Sequence, residues 1–179
     1  IQSDYIKAGS DIIYACTFGA NRVKLADYGL EGRTIEMNRR LVELSKEAAG
    51  QKALVAGDIG STGRFIRPFG DMPFEECVDV YKEQVCGLLE GGVDLFGIET
   101  MLDIQEARAA LLAIKESCDL PVIVSLTFDE AQRTLTGTDP ITALITLQSL
   151  GADAFGCNCS TGPAHMVEII KILKPYARI

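Results

Sequence analysis

The sequence predicts an α/β fold, part of a (β/α)8 TIM barrel covering about strands two to six, and three observations predict it. Gly9-Ser-Asp-Ile-Ile13, Gly92-Val-Asp-Leu-Phe96 and Gly151-Ala-Asp-Ala-Phe155 repeat one pattern: a glycine that ends a helix, an aspartate, then a buried strand. Strand-like and helix-like segments alternate along the whole chain, which implies βαβ units and a parallel sheet. Most strand ends also carry a polar group: Thr17, Asp58, Glu99 with Thr100, Thr127, and Asn158 with Cys159. In a barrel such residues converge on one C-terminal mouth, whereas the competing doubly wound open sheet spreads them along an edge. A whole barrel needs about 250 residues, so the 179 here are expected to form one partial domain, residues 1–179. A start that reads as the tail of a helix and a finish that heads toward a strand agree with that expectation.

In chain order, residues 1–8 read as a helix stopped by Gly9, and residues 11–17 as the first strand. Residues 20–30 predict a short helix ending at Gly29. Residues 34–49 predict a longer one, with Ile35, Leu41, Leu44 and Ala48 as its apolar stripe and Gly50 as its stop. The second strand is 52–58, and Ile59-Gly-Ser-Thr-Gly63 is a loop that lacks the Lys of a phosphate-binding P-loop. Pro73 opens a helix whose steps of three and four place Cys77 among Phe74, Val78, Tyr81, Val85, Leu88 and Leu89, so Cys77 is packing. The third strand is 93–99, and Asp103 with Glu106 forms a capping box for a helix over 104–117. The fourth strand is 121–127. A polar turn then leads through Pro140, at the first helical position, into a helix ending near Leu150. The fifth strand starts at Gly151, and the last helix runs from about Pro163 to Leu173 with a surface His165 in its first turn.

Composition excludes several function classes. A net charge of −8 argues against a nucleic-acid partner or an anionic membrane surface, because binding phosphate needs a basic face. No apolar run approaches the roughly 20 residues of a membrane span, and no signal peptide is visible. The six cysteines show no disulfide-framework spacing, which predicts reduced thiols and a cytoplasmic location. The single histidine rules out His-rich metal sites.

The most informative stretch is Gly151-Ala-Asp-Ala-Phe-Gly-Cys-Asn-Cys-Ser-Thr-Gly-Pro163. Cys157, Asn158 and Cys159 sit where a strand ends and a helix begins, a place where a thiol can hold a metal or a reacting group. The alternative is that small, apolar cysteines fill a core. The residues alone leave both open.

Taken in order, Thr17-Phe-Gly-Ala20, Gly57-Asp-Ile-Gly-Ser-Thr-Gly63, Ile98-Glu-Thr100, Thr127-Phe-Asp-Glu130 with Thr134-Leu-Thr-Gly-Thr-Asp139, and Gly156-Cys-Asn-Cys-Ser160 resemble the homocysteine S-methyltransferase family over the whole chain. The likeness is greatest to the homocysteine-binding domain of its cobalamin-dependent, methionine-forming members. The resemblance implies an enzyme that transfers a methyl group to the thiol of homocysteine, held as a thiolate on Zn2+ by three protein thiolates. It implies that Cys159 is one zinc ligand, the other two being an adjacent Cys-Cys pair outside these residues, and that Cys157 is packing. Glu99 is implied to hold the substrate ammonium, with Asp58 and Asn158 as further substrate-binding candidates. Asp58 could equally tie down the glycine loop. The implied methyl donor is methylcobalamin, bound outside this segment by a corrinoid-binding domain or protein. These residues alone are expected to be inactive. Cys16 stands where relatives often have Asn. A pterin-binding-type barrel without metal, using Asp58 and Asn158, and a non-catalytic barrel fragment are the competing readings.

Overall fold

Five strands run parallel and lie side by side in the order in which the chain makes them. The structure, a computed structural model, describes residues 1–179. The strands are β1 (Ile12–Tyr14), β2 (Leu54–Ile59), β3 (Leu95–Met101), β4 (Val122–Leu126) and β5 (Ala154–Cys157). The helices are α1 (Gln2–Lys7), α2 (Arg22–Ala26), α3 (Thr34–Ala49), α4 (Phe74–Gly91), α5 (Ile104–Lys115), α6 (Pro140–Ser149) and α7 (Pro163–Leu173), with a 3-10 turn at Glu31–Arg33. Strictly sequential parallel order is the wall of a (β/α)8 barrel; a doubly wound sheet reverses order at a switch point. Right-handed crossovers in such an order place the connecting helices on one face, and α3 to α7 pack neighbour against neighbour in that sequence.

The repeated glycine-aspartate pattern has a physical cause. Gly9, Gly92 and Gly151 all take a positive φ, the left-handed turn in which an L side chain is strained. The aspartate then serves the neighbouring strand. Asp94 accepts from the backbone N–H of Val55 at 2.7 Å and pairs with Lys46 of α3 at 2.8 Å. Asp153 does the same for Val122 and for Lys115 of α5, at 2.8 and 2.9 Å. Asp94 and Asp153 therefore each fasten their own strand, the strand before it and the helix that leads into that earlier strand, at the N-terminal end of the sheet, opposite the strand ends that carry the polar groups.

Two expected helical details differ. The buried face of α3 is Thr34, Asn38, Val42, Ser45 and Ala49, while Ile35 and Leu44 are exposed. The reason is the closeness of α4: a Cβ on Gly87 would lie 2.5 Å from the Ile35 carbonyl oxygen, and one on Gly91 2.5 Å from Val42. Backbones this near accept only small or short polar residues between them. The helix expected over 20–30 is only Arg22–Ala26, begun by the Asn21 side chain accepting from Lys24 N–H. The first strand is likewise shorter than expected, although Ala15 N–H still bonds to the Ala56 carbonyl.

A further correction concerns Glu106. Asp103 caps α5 as expected, accepting from Gln105 N–H at 3.0 Å. Glu106 does not close a capping box. Buried to 2% exposure, its carboxylate instead accepts from Ser61 Oγ (2.8 Å), Thr62 N (2.7 Å), Thr62 Oγ1 (2.6 Å) and Tyr81 OH (3.0 Å). Four donors satisfy a charge that would otherwise be costly to bury.

Candidate functional site

Strand alternation divides each strand between the helix-covered face and an open face. On β1, Ile13 and Ala15 are buried beneath helices, while Ile12, Tyr14 and Cys16 are exposed on the open face. Tyr14 lies across β3, since a Cβ on Gly97 would meet its ring at 2.3 Å. Asp58 on β2 and Glu99 on β3 belong to the same face, and both charges act on the Tyr14 hydroxyl, whose pKa is raised by burial, then by Glu99, then by Asp58.

Asp58 is 7% exposed and its Oδ1 has no hydrogen-bond partner within the protein. Burial, with Glu99 adding to it, pushes its pKa to about 7. Burial also raises Glu99. No cationic side chain offsets either shift, so neither carboxyl group has a positively charged partner within this chain. The glycine loop is not tied down by Asp58; Glu106 has that task. Thr17 is structural: it donates to the Asp58 carbonyl at 2.8 Å, accepts from Asp58 N–H at 3.1 Å, and its own carbonyl accepts from the buried Gln84 at 2.8 Å.

At the far side of the rim, Cys159 is exposed and has a left-handed φ of 58°. That turn breaks the alternation that would have aimed it with Cys157. Cys157 packs against the helix-side core, and burial raises its pKa. The Cys159 thiol accepts from Asn158 Nδ2 at 3.3 Å and lies 3.8 Å from Thr100 Oγ1. Asn158 is wholly engaged: Oδ1 accepts from Thr100 N (3.1 Å) and Ser125 Oγ (2.8 Å), and Nδ2 also donates to Thr100 Oγ1 (2.7 Å). Its four polar positions are therefore spent on the rim.

The rim thus brings Asp58 and Glu99 to one open face and Cys159 to the end of β5, two strands beyond Glu99. No group of three or more His, Cys, Asp or Glu lies close enough to hold a metal ion. His165 is exposed on α7 and Cys77 fully buried in α4, outside the rim. Sequence reasoning missed Tyr14, Ser125 and Glu106. Period-two alternation from Cys16 could have placed Tyr14; nothing local distinguishes Glu106 from a capping residue.

Residues 1–179 match the family profile described as homocysteine S-methyltransferase. The methionine synthases of Mycobacterium leprae (strain TN) and Mycobacterium tuberculosis (strain ATCC 25618 / H37Rv) are each 30% identical over 190 aligned positions, taking in 100% of this chain and 16% of theirs. The chain therefore spans 16% of the length of these curated relatives. Among solved structures, the homocysteine methyltransferase MmuM from Escherichia coli superimposes with a TM-score of 0.85 in its metallated form, at 20% identity, over 99% of this chain and 67% of that one. Its oxidized form gives a TM-score of 0.86 at 21% identity, over 99% and 66%. At that identity the likeness shows the fold, a TIM barrel of which this chain covers part.

Proposed function

The chain belongs to the homocysteine S-methyltransferase family, and on that premise we propose that residues 1–179 form part of the homocysteine-binding barrel of a cobalamin-dependent methionine synthase. One observation carries this reading. A pair of carboxyl groups without a cationic partner, Asp58 and Glu99, shares a rim with an exposed thiol, Cys159. Homocysteine has matching ends, an ammonium and a thiol.

In this reading Glu99 accepts the substrate ammonium through charge-assisted hydrogen bonds, and Asp58 completes the pocket. A cation arriving beside Asp58 would draw its carboxyl back to the ionised form, so binding and deprotonation reinforce each other. Asn158 serves the site by holding Thr100 and Cys159 rather than by touching substrate. Cys159 fits one position of a three-thiolate Zn2+ site, the other two thiolates coming from outside these residues. Zinc, when bound, is a Lewis acid that favours the substrate thiolate near neutral pH. The methyl donor, methylcobalamin on a corrinoid-binding domain or protein, lies outside this segment. No helix is long and apolar enough to cross a membrane, and six free cysteines suit a reducing cytoplasm. The acidic balance gives no footing for nucleic acid.

The test uses the full-length protein, with zinc per chain by metal analysis and homocysteine affinity by calorimetry. Cys159→Ala should lose zinc, Cys157→Ala should keep it, and Glu99→Gln should keep zinc while binding homocysteine more weakly. Full zinc in the Cys159 variant, or zinc loss in the Glu99 variant, would overturn the assignment.

A further inference from the structure

The β3–β4 register contains an irregularity at the rim. Ile98 faces Val124 and Met101 faces Leu126, so Glu99 and Thr100 together oppose the single residue Ser125. This is a β-bulge, a device that re-aims a side chain at the end of a strand. Its second residue, Thr100, has a φ of 58°, an unfavourable conformation for a β-branched side chain. Something must hold it there, and the only side chain bonded to both its amide and its hydroxyl is Asn158. Asn158 accepts from Thr100 N at 3.1 Å and donates to Thr100 Oγ1 at 2.7 Å, reaching from the end of β5 across β4, where Ser125 Oγ joins the same oxygen at 2.8 Å.

The other end of the clasp is equally fixed. The backbone of Asn158 is pinned by its N–H to the Leu126 carbonyl and by Thr127 Oγ1 to its own carbonyl, both at 3.2 Å. Directly after it, Cys159 and Ser160 take φ values of 58° and 60°, turning the chain out of the strand. The remaining Asn158 N–H goes to Cys159 Sγ at 3.3 Å. A single amide therefore fixes the bulge that carries Glu99 and the turn that carries Cys159.

We propose that Asn158 and Thr100 act as a ruler: their clasp sets the distance between the Glu99 carboxylate and the Cys159 thiol, and so selects the chain length of the amino thiol held between them. The inference rests on the reading given under Proposed function. Homocysteine and cysteine carry the same end groups and differ by one methylene between sulfur and the α-carbon. With Glu99 fixed for the ammonium and Cys159 fixed as one holder of the Zn2+ that would take the sulfur, only one length satisfies both ends. With the clasp loosened, Glu99 can move with its strand end and the shorter thiol is accommodated. Asn158 and Thr100 are positioning residues here, since they act through Glu99 and Cys159.

The experiment compares homocysteine and cysteine affinities by calorimetry in the full-length protein, with zinc content and melting temperature measured alongside. A one-methylene difference is ordinarily worth roughly 10- to 200-fold, and the wild type should prefer homocysteine within that range. Thr100→Gly is the deciding variant. Glycine accepts the left-handed φ without strain, so the fold is kept while the hydroxyl grip is lost. It should bring the ratio down about tenfold with zinc and melting temperature little changed. Thr100→Ser, which restores the hydroxyl, should recover most of the preference, and Asn158→Ala should abolish it. An unchanged ratio in Thr100→Gly overturns the ruler whatever Asn158→Ala does. A wild type that fails to bind homocysteine overturns the functional reading and the ruler with it; a selective wild type whose preference survives in Thr100→Gly overturns the ruler alone.

Discussion

Thr62 gives both its backbone N–H and its hydroxyl hydrogen to the same oxygen of Glu106, at 2.7 and 2.6 Å. Tyr81 of α4 donates to that oxygen as well, and Ser61 to the other. One carboxylate thereby joins α5, α4 and the loop that follows β2. Its removal leaves several buried donors without an acceptor. Glu106→Ala should cost about 3 kcal/mol or more of stability, at about 1–3 kcal/mol per orphaned group. Glu106→Gln, which keeps the shape and loses the charge, should cost less. Urea unfolding of both variants checks this; equal midpoints for Glu106→Ala and wild type would remove Glu106 from its place as the loop's anchor.

Asp58 gives stability a pH dependence of known sign. Its folded pKa, about 7, lies above the ordinary aspartate value of about 3.9, so between those values the folded state binds more protons than the unfolded one. Stability from this group is full below pH of about 4 and is lost as pH rises toward 7. In Asp58→Asn that loss should vanish, so the variant gains on the wild type as pH rises from 5 to 8. Parallel stability curves for the two proteins over that range would contradict the assignment.

Asp94 works in the opposite direction. Burial alone would raise its pKa, but the Lys46 ammonium and the Val55 N–H outweigh burial and hold its carboxyl below the usual range. Its contribution is present above the unfolded value and disappears as pH falls through the lowered folded one. Asp94→Ala should lose about 1–3 kcal/mol at pH 7, with the difference from wild type shrinking below pH 3. A deficit that stays constant down to pH 2 would show that the charge is not its source.

The α3–α4 contact predicts a ranking among glycines. At Gly87 an added methyl meets the Ile35 carbonyl oxygen at 2.5 Å, which is backbone and cannot swing aside. At Gly60 it meets the ring of Phe18 at 2.4 Å, and that side chain is 41% exposed and free to turn outward. Gly87→Ala should therefore cost about 1–3 kcal/mol as an overpacking change, and Gly60→Ala clearly less. Thermal melts of the pair give the order, and a larger loss at Gly60 would reverse the reading of that helix contact.

Much of this fold was legible in the residues because it is encoded locally. The glycine before each repeated aspartate marks a left-handed turn, Asp103 and Pro140 mark helix starts, and the limits of α3 and α7 follow from their own stop and start signals. The rim positions of Asp58, Glu99 and Cys159 were legible too, since a strand end is a local event. What the sequence could not show depends on atoms far apart in the chain. Ile35 and Leu44 face solvent because glycines in α4, more than 40 residues away, bring the helix backbones together. Glu106 left its expected cap because it accepts from the buried Thr62, 44 positions earlier. Asn158, expected to meet a ligand, is spent on Thr100, 58 residues before it. Hydropathy, capping and turn preferences report what a residue can do next to its neighbours. Which buried donor finds which acceptor is decided only once the sheet has set the strands side by side.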